Sequence, residues 1–206
     1  MEDSEYSPHP VAGDVTAFVL TGGKSTRMGE DKAGLRLPSG MTLLEHALAT
    51  CAAVAGQVGI LGPQSRYGTY AWAGEIVEDI FPDRGPLAGI HAALANTTTE
   101  WNIVLAVDLP GITAELLRWT LDEARKTGKL VTVPKIEDQQ QPLCAVYRRG
   151  FAEIAEQALK ENRNKVNGCF PREDTRVISE QELVASGFMP EMFANVNTPE
   201  EFSKVQ

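Results

Sequence analysis

Between Leu20 and Lys32 the chain reads Leu-Thr-Gly-Gly-Lys-Ser-Thr-Arg-Met-Gly-Glu-Asp-Lys, directly after the apolar run Ala17-Phe18-Val19-Leu20. This is a combination that holds phosphate. Glycine lacks a Cβ, so the backbone can turn with positive φ and bring successive N–H groups against an anion, while lysine and arginine supply charge. The spacing fits neither of two widespread phosphate patterns. Gly-x-Gly-x-x-Gly needs other glycine positions, and a P-loop needs four residues between its first glycine and Gly-Lys-Ser/Thr. Leu20, Thr21, Gly22 and Gly23 form the candidate cradle, with Arg27 and Lys32 as its cations. Lys24 reads as a solvated loop charge.

Two carboxylates complete the constellation. Asp108 closes the apolar run Ile103-Val104-Leu105-Ala106-Val107, and Pro110 stops it two residues later. Hard divalent cations such as Mg²⁺ take carboxylate oxygens and bridge to substrate phosphates, so one or two aspartates are enough protein ligation. Asp79, closing Glu75-Ile76-Val77-Glu78-Asp79, is the second strand-end acid. Each can also be read as a turn residue. After Asp83 and Arg84, Gly85-Pro86-Leu87-Ala88-Gly89 opens a helix, whose N-terminus accepts anions. Near the end of the chain, Thr198, Pro199 and Glu201 form a capping box, which leaves Asn195 and Asn197 without a structural reason.

The elements that must position these residues alternate. Leu43, Leu44, Ala47, Leu48, Cys51 and Val54 recur at helical spacing. Short strands are predicted over 57–61 and 75–77, around a helix that includes Tyr67, Tyr70 and Trp72. Then follow a helix over 86–95, a buried strand over 102–107, a helix over 113–126, strands over 130–134 and 142–148, and a helix over 151–161. The segment 162–192 is the least regular. Sustained β-α alternation predicts an open, mostly parallel sheet with helices on both faces, and such sheets bind ligands beyond the carboxyl ends of their strands.

The chain has 206 residues, the length of one α/β domain, over 15–206. Residues 1–14, acidic and poor in apolar side chains, read as a flexible leader. The formal net charge of −9 argues against nucleic-acid or anionic-membrane partners, so an anionic ligand must be met locally. No apolar stretch approaches a membrane span and no signal-peptide core is present, which leads to a cytoplasmic expectation. Cys51, Cys144 and Cys169 are odd in number and widely spaced, so neither a disulfide framework nor a zinc site is indicated. His9, His46 and His91 are scattered and are given no role.

Taken together, these segments resemble the molybdenum cofactor guanylyltransferases, the MobA family of nucleotidyltransferases. The likeness runs from Phe18 to Glu201 with the motifs in family order, and Thr21 stands where the family usually has alanine. It implies a Rossmann-like three-layer α/β fold with a mostly parallel central sheet. The implied reaction transfers GMP from GTP to molybdopterin carrying molybdenum, with Mg²⁺ as cofactor, giving the guanine dinucleotide cofactor and pyrophosphate. The resemblance puts Gly22, Gly23 and Lys32 on the triphosphate, Asp79 on the nucleotide, Asp108 on the metal, and Asn-Val-Asn-Thr-Pro at the cleft. Arg27, Lys32 and Asp108 become the catalytic candidates. Arg163, Lys165, Asn195 and Asn197 become the pterin candidates, and Gln141–Tyr147 matches the strand that follows the pterin-facing region. Delivery to molybdoenzymes or their chaperones is implied in turn. The Gly-Gly doublet favours guanine, since many relatives that use CTP or sugar phosphates carry Ala-Gly. A cytidylyltransferase, or an enzyme with another phosphorylated acceptor, would use the same machinery, and a nucleotide sensor would keep the fold without turnover.

Overall fold

The computed structural model describes residues 12–22, 32–68 and 74–196. In chain order the first half contains β1 (Ala12–Leu20), α1 (Leu43–Ala52), β2 (Ala55–Leu61), α2 (Gln64–Tyr67), β3 (Glu75–Val77), α3 (Pro86–Asn96) and β4 (Trp101–Ala106). The second half contains α4 (Ala114–Thr127), β5 (Val131–Ile136), β6 (Gln139–Gln140), β7 (Cys144–Arg148), α5 (Phe151–Lys160), β8 (Thr175–Ile178) and α6 (Glu180–Ala185). The strands make one sheet in the order β3-β2-β1-β4-β7-β5-β6, with β8 beside β5.

Strands β3, β2, β1 and β4 are mutually parallel, β7 runs against β4 and β5, and β8 is parallel to β5. The reversal at β7 follows from its connection. Only residues 137–143 separate β5 from β7, too few for the crossover helix that a parallel neighbour would need. The mostly parallel α/β sheet expected from the alternation is therefore what forms.

Pleating sends Val15, Ala17 and Val19 to one face, where they meet Leu43, Leu44, Leu48 and Cys51 of α1 and Leu116, Leu117 and Leu121 of α4. Phe18 turns to the other face with Ala92 and Ala93 of α3. Alongside, Val104 and Tyr147 pack against α3 and α5 through Leu87, Ile90, Leu94, Phe151 and Ala155. A continuous apolar run such as Ile103–Val107 needs this cover on both sides. Helix ends are fixed locally. Thr42 and Glu45 form a reciprocal capping box on α1, Thr113 caps α4, and Gly128, at φ 66°, ends it.

The chain departs from the sequence expectation at several borders. β1 starts at Ala12, so the last three residues of the expected leader belong to the sheet. Ala12 donates its N–H to the Val54 carbonyl at 3.0 Å, and Arg125 grips both carboxylate oxygens of Asp14. The rest of the expected leader lies outside the described residues. α2 is a single turn ending at Tyr67, and Tyr70 and Trp72 lie outside the described residues. The irregular 162–192 stretch carries β8 and α6, the latter begun by a Ser179–Glu182 capping box. Ser-x-x-Glu after Thr-Arg-Val-Ile was the signal for both.

That last cap has a pH signature. Hydrogen bonds from Arg176, then from Ser179, pull the Glu182 carboxyl down to about 2 from 4.5. A depressed folded pKa stabilises above the unfolded value, and that stabilisation is lost as pH falls from 4.5 toward 2. The carboxylate is 43% exposed, so screening reduces the contribution to about 1 kcal/mol. Glu182→Gln should lower Tm at pH 6 and match the wild type near pH 2; a Tm difference that does not shrink on acidification would show the ion pair is not its source.

Candidate active site

In an open parallel sheet the ligand crevice lies where neighbouring strands leave in opposite directions. Here that point is between β1 and β4: the chain moves from β1 outward through β2 and β3, then returns to β4 on β1's other side. Register aligns the four carboxyl ends, with Leu20 level with both Leu61 and Ala106, and Leu61 level with Val77. The backbone continues this alignment by one bond each. Thr21 N–H donates to Leu61 O at 3.2 Å, Gly62 N–H to Val77 O at 3.1 Å, and Val107 N–H to Leu20 O at 3.0 Å. Thr21, Gly22, Asp79 and Asp108 thus follow the ends of adjacent strands along one edge.

Gly22 turns the chain out of β1 at φ 89°, a conformation suited to glycine. Gly23 and Arg27 lie outside the described residues. Thr21, the departure from the family's alanine, is buried and donates its hydroxyl to Leu61 O at 2.9 Å. Space for that hydroxyl exists because residue 62 is glycine: a Cβ there would stand 2.6 Å from Thr21 Oγ1.

Lys32 begins a 3-10 turn, Lys32–Gly34, tied to the start of α1 through the Leu43 N–H to Leu35 O bond. Its charge reaches Asp108. Burial at the strand end raises the Asp108 pKa, and Lys32 acts in the opposite sense. The positive charge that follows the glycine turn and the carboxylate that follows β4 are thus coupled electrostatically across this edge. Asp79 is solvent-exposed on one side and packed against α3 on the other; burial and then the nearby Asp83 carboxylate raise its pKa. Gly89 lets the helix come that close. A Cβ at Gly89 would meet Leu20 Cδ1 at 2.8 Å and Asp79 Oδ1 at 3.7 Å. The Gly85–Gly89 segment therefore both turns into α3, with Gly85 at φ 69°, and floors the cleft.

The tail of the described chain closes the edge from above β4. Val196, fully buried, donates its N–H to Asp108 O at 2.9 Å, which sets exposed Asn195 beside the Asp108 loop. Asn197 lies outside the described residues. Gly111 makes the docking possible, since a Cβ there would lie 2.7 Å from Met192 O and 3.0 Å from Met192 Cα. Both are backbone atoms and cannot swing away. Gly111→Ala should cost about 1–3 kcal/mol of stability, seen as a lowered Tm. Activity should fall with it through the displaced Asp108 loop; a Tm within 1–2 °C (roughly half a kcal/mol at this size) would show that the contact yields.

Arg163 and Lys165 sit apart, beyond the end of α5. The Arg163 guanidinium is held by Glu161 at 2.8 Å, and exposed Lys165 lends its carbonyl to Gly168 N–H. A hydrogen bond from Arg84 to Asn162 joins this surface to the Gly85 loop. Glycines 62 and 111 are the site contributors that the sequence reading did not single out. Close backbone approach leaves no mark in a single sequence beyond the glycine itself.

Residues 17–172 match the model of the MobA-like NTP transferase domain. The chain is 30% identical over 192 residues to the molybdenum cofactor guanylyltransferase of Desulfosudis oleivorans, covering 93% of this chain and 94% of that one. It is 32% identical to a probable molybdenum cofactor guanylyltransferase of Pelotomaculum thermopropionicum, over 93% and 91% of the two chains. Among solved structures it superposes on molybdopterin-guanine dinucleotide biosynthesis protein A from Archaeoglobus fulgidus with TM-score 0.77 and 26% identity, covering 92% and 96%.

Proposed function

The chain belongs to the MobA-like NTP transferase family, and from that membership we propose that it transfers GMP from GTP to the molybdenum-bearing molybdopterin cofactor. The products are the molybdopterin guanine dinucleotide cofactor and pyrophosphate. What carries this reading is the placement, at the switch point of the sheet, of a glycine turn after β1 and the carboxylate Asp108 after β4, with the charge of Lys32 acting on that carboxylate.

The chemistry asks little covalent work of the protein. An oxygen of the pterin's terminal phosphate attacks the α-phosphorus of GTP and a new P–O bond forms. The bond from that phosphorus to the bridging oxygen breaks, and pyrophosphate leaves with its electron pair. The attacking phosphate is already ionised at neutral pH, so no general base is required. Catalysis then rests on positioning and on fixed charge at the non-bridging oxygens. Gly22 and Gly23 cradle the triphosphate, Lys32 and Arg27 neutralise it, Asp79 orients the nucleoside, and Asn195 and Asn197 border the acceptor. Arg163 and Lys165 are the further candidates for the anionic pterin, on the surface joined to the cleft by Arg84.

Asp108 fits a hard divalent cation. It offers one half-buried carboxylate at a strand end, and the described residues contain no cluster of three or more His, Cys, Asp or Glu that could hold an ion alone. An ion at Asp108 would share the phosphate oxygens of the substrate, the coordination that Mg²⁺ favours. When bound it adds positive charge where the transition state gathers negative charge. No helix of the described residues is long and apolar enough to cross a membrane. We assign the reaction to the cytoplasm, with the product passing to molybdoenzymes or their chaperones.

The test is equilibrium binding of GTP, CTP, ATP and UTP, with and without Mg²⁺, followed by pyrophosphate release in the presence of the pterin. Selective, Mg²⁺-sensitive GTP binding with turnover is the expected result. A preference for CTP would make the protein a cytidylyltransferase, and binding without pyrophosphate release would make it a sensor.

A further inference from the structure

Around Asp108, several backbone carbonyls of the strand end and the loop are held by hydrogen bonds. Leu109 N–H donates to Ala106 O at 3.4 Å, Val196 N–H to Asp108 O at 2.9 Å, and Ile112 N–H to Leu109 O at 3.2 Å. The next carbonyl, that of Pro110, is met instead by a side chain from another element. His46, in the middle of α1, places Nε2 3.0 Å from Pro110 O. A carbonyl oxygen only accepts, so the ring must carry its proton on Nε2 and donate it. Leu109 and Ile112 of the loop already share an apolar cluster with α1, and this bond adds a directional tie at Pro110, whose neighbour Gly111 is pressed against Met192.

The same helix governs the opposite side of the cleft. The 3-10 turn that begins with Lys32 is joined to the α1 N-terminus by Leu43 N–H to Leu35 O at 2.9 Å, and the Thr42–Glu45 capping box fixes that end. Helix α1 therefore carries the Lys32 turn at its first residue and the Asp108 loop at His46, one turn further along. Resting on the reading of Asp108 as the metal-binding carboxylate, we propose that His46 is a positioning residue: through its Nε2–H bond to Pro110 O it sets the Asp108 carboxylate relative to Lys32 and so tunes divalent-ion binding with the nucleotide. It touches neither substrate nor ion. Groups that orient a metal-binding side chain typically change metal affinity or activity by about 10–100-fold when removed.

Two substitutions separate this role from packing. His46→Leu substitutes an apolar side chain of related size that donates nothing; His46→Gln keeps an N–H that can reach the same carbonyl. Three readouts are taken. In the wild type, ¹⁵N NMR at neutral pH should show the Nε2–H tautomer; the Nδ1–H tautomer would overturn the assignment. In the nucleotide-free protein, amide exchange at Leu109 and Ile112 should accelerate about tenfold in His46→Leu and stay within about threefold in His46→Gln. With GTP, His46→Leu should need roughly tenfold more Mg²⁺ for half-saturation while metal-free GTP affinity is unchanged, and His46→Gln should restore the Mg²⁺ requirement. Unchanged exchange and Mg²⁺ dependence in His46→Leu, or equal impairment in both variants, would overturn the proposal. Absence of Mg²⁺-dependent GTP binding in the wild type would overturn the functional reading instead, and the exchange data would still decide whether His46 holds the loop.

Discussion

Asp108→Asn should reduce GMP transfer by about 10²–10³-fold, the usual cost of removing one preorganised electrostatic group from a transition state. The expectation follows from where the residue sits. The carboxylate follows a largely buried strand at the switch point of the sheet, its loop is hydrogen-bonded by Ala106, Val196 and His46, and the charge of Lys32 acts on it. Asparagine keeps the shape and one oxygen and loses the charge, so a divalent ion at the proposed Asp108 site would be held weakly. Stability should move the other way. Burial raises the Asp108 pKa above 3.8, which means that the folded chain holds a proton more tightly than the unfolded chain and that ionising the group costs stability as pH rises through that window. In a metal-free sample at pH 7, the asparagine variant should therefore melt at the wild-type temperature or slightly above it. Turnover at saturating GTP and Mg²⁺, with Tm in chelator, checks both halves. Activity within a few-fold of wild type would remove Asp108 from the metal site, and a large fall in Tm would make its role structural.

The parts of this site that were legible in the sequence are those in which residue type and backbone geometry coincide. An apolar run broken by an acid and a proline marked the end of β4, and a glycine pair after another apolar run marked the end of β1; both predicted points fall on the ligand edge of the sheet. Parallel neighbours then followed from the β-α alternation, because a buried strand needs helices on both faces. What was not legible depends on contacts distant in sequence. The bond between His46 and Pro110 spans 64 residues, and no periodicity announces it. The reversed β7 is set by connection length, which is decided only once β5 has ended, two residues later than the hydrophobic pattern indicated. β8 and α6 were hidden because each is short, and four to six residues give too little periodicity to register. The expected capping box at Thr198–Glu201 lies outside the described residues, whereas the ones at Thr42 and Ser179 went unread although they carry the same Thr/Ser-x-x-Glu signal.

Lys32→Ala should weaken GTP binding by about 10–100-fold, since a hydrogen bond to a charged partner contributes roughly 1.5–3 kcal/mol. The same change should alter the acidity of Asp108, and this second effect distinguishes a designed pair from a generic surface charge. Lys32 is the main influence holding the Asp108 pKa down against burial. Without it the carboxyl keeps its proton to higher pH, so the acid limb of the rate profile should move upward in Lys32→Ala. Lys32→Arg retains the charge and should return the limb toward its wild-type position. Affinity should recover only in part, because the planar guanidinium fork replaces a compact ammonium in a turn built close to α1. The two variants thus separate charge from shape: a limb that moves with Ala and returns with Arg ties Lys32 to Asp108 through the electrostatic field, independently of how tightly GTP is held. If neither the limb nor the affinity changes in Lys32→Ala, the lysine faces solvent in the working enzyme, and the phosphate charge must be met by the basic residues that precede it, Arg27 first among them.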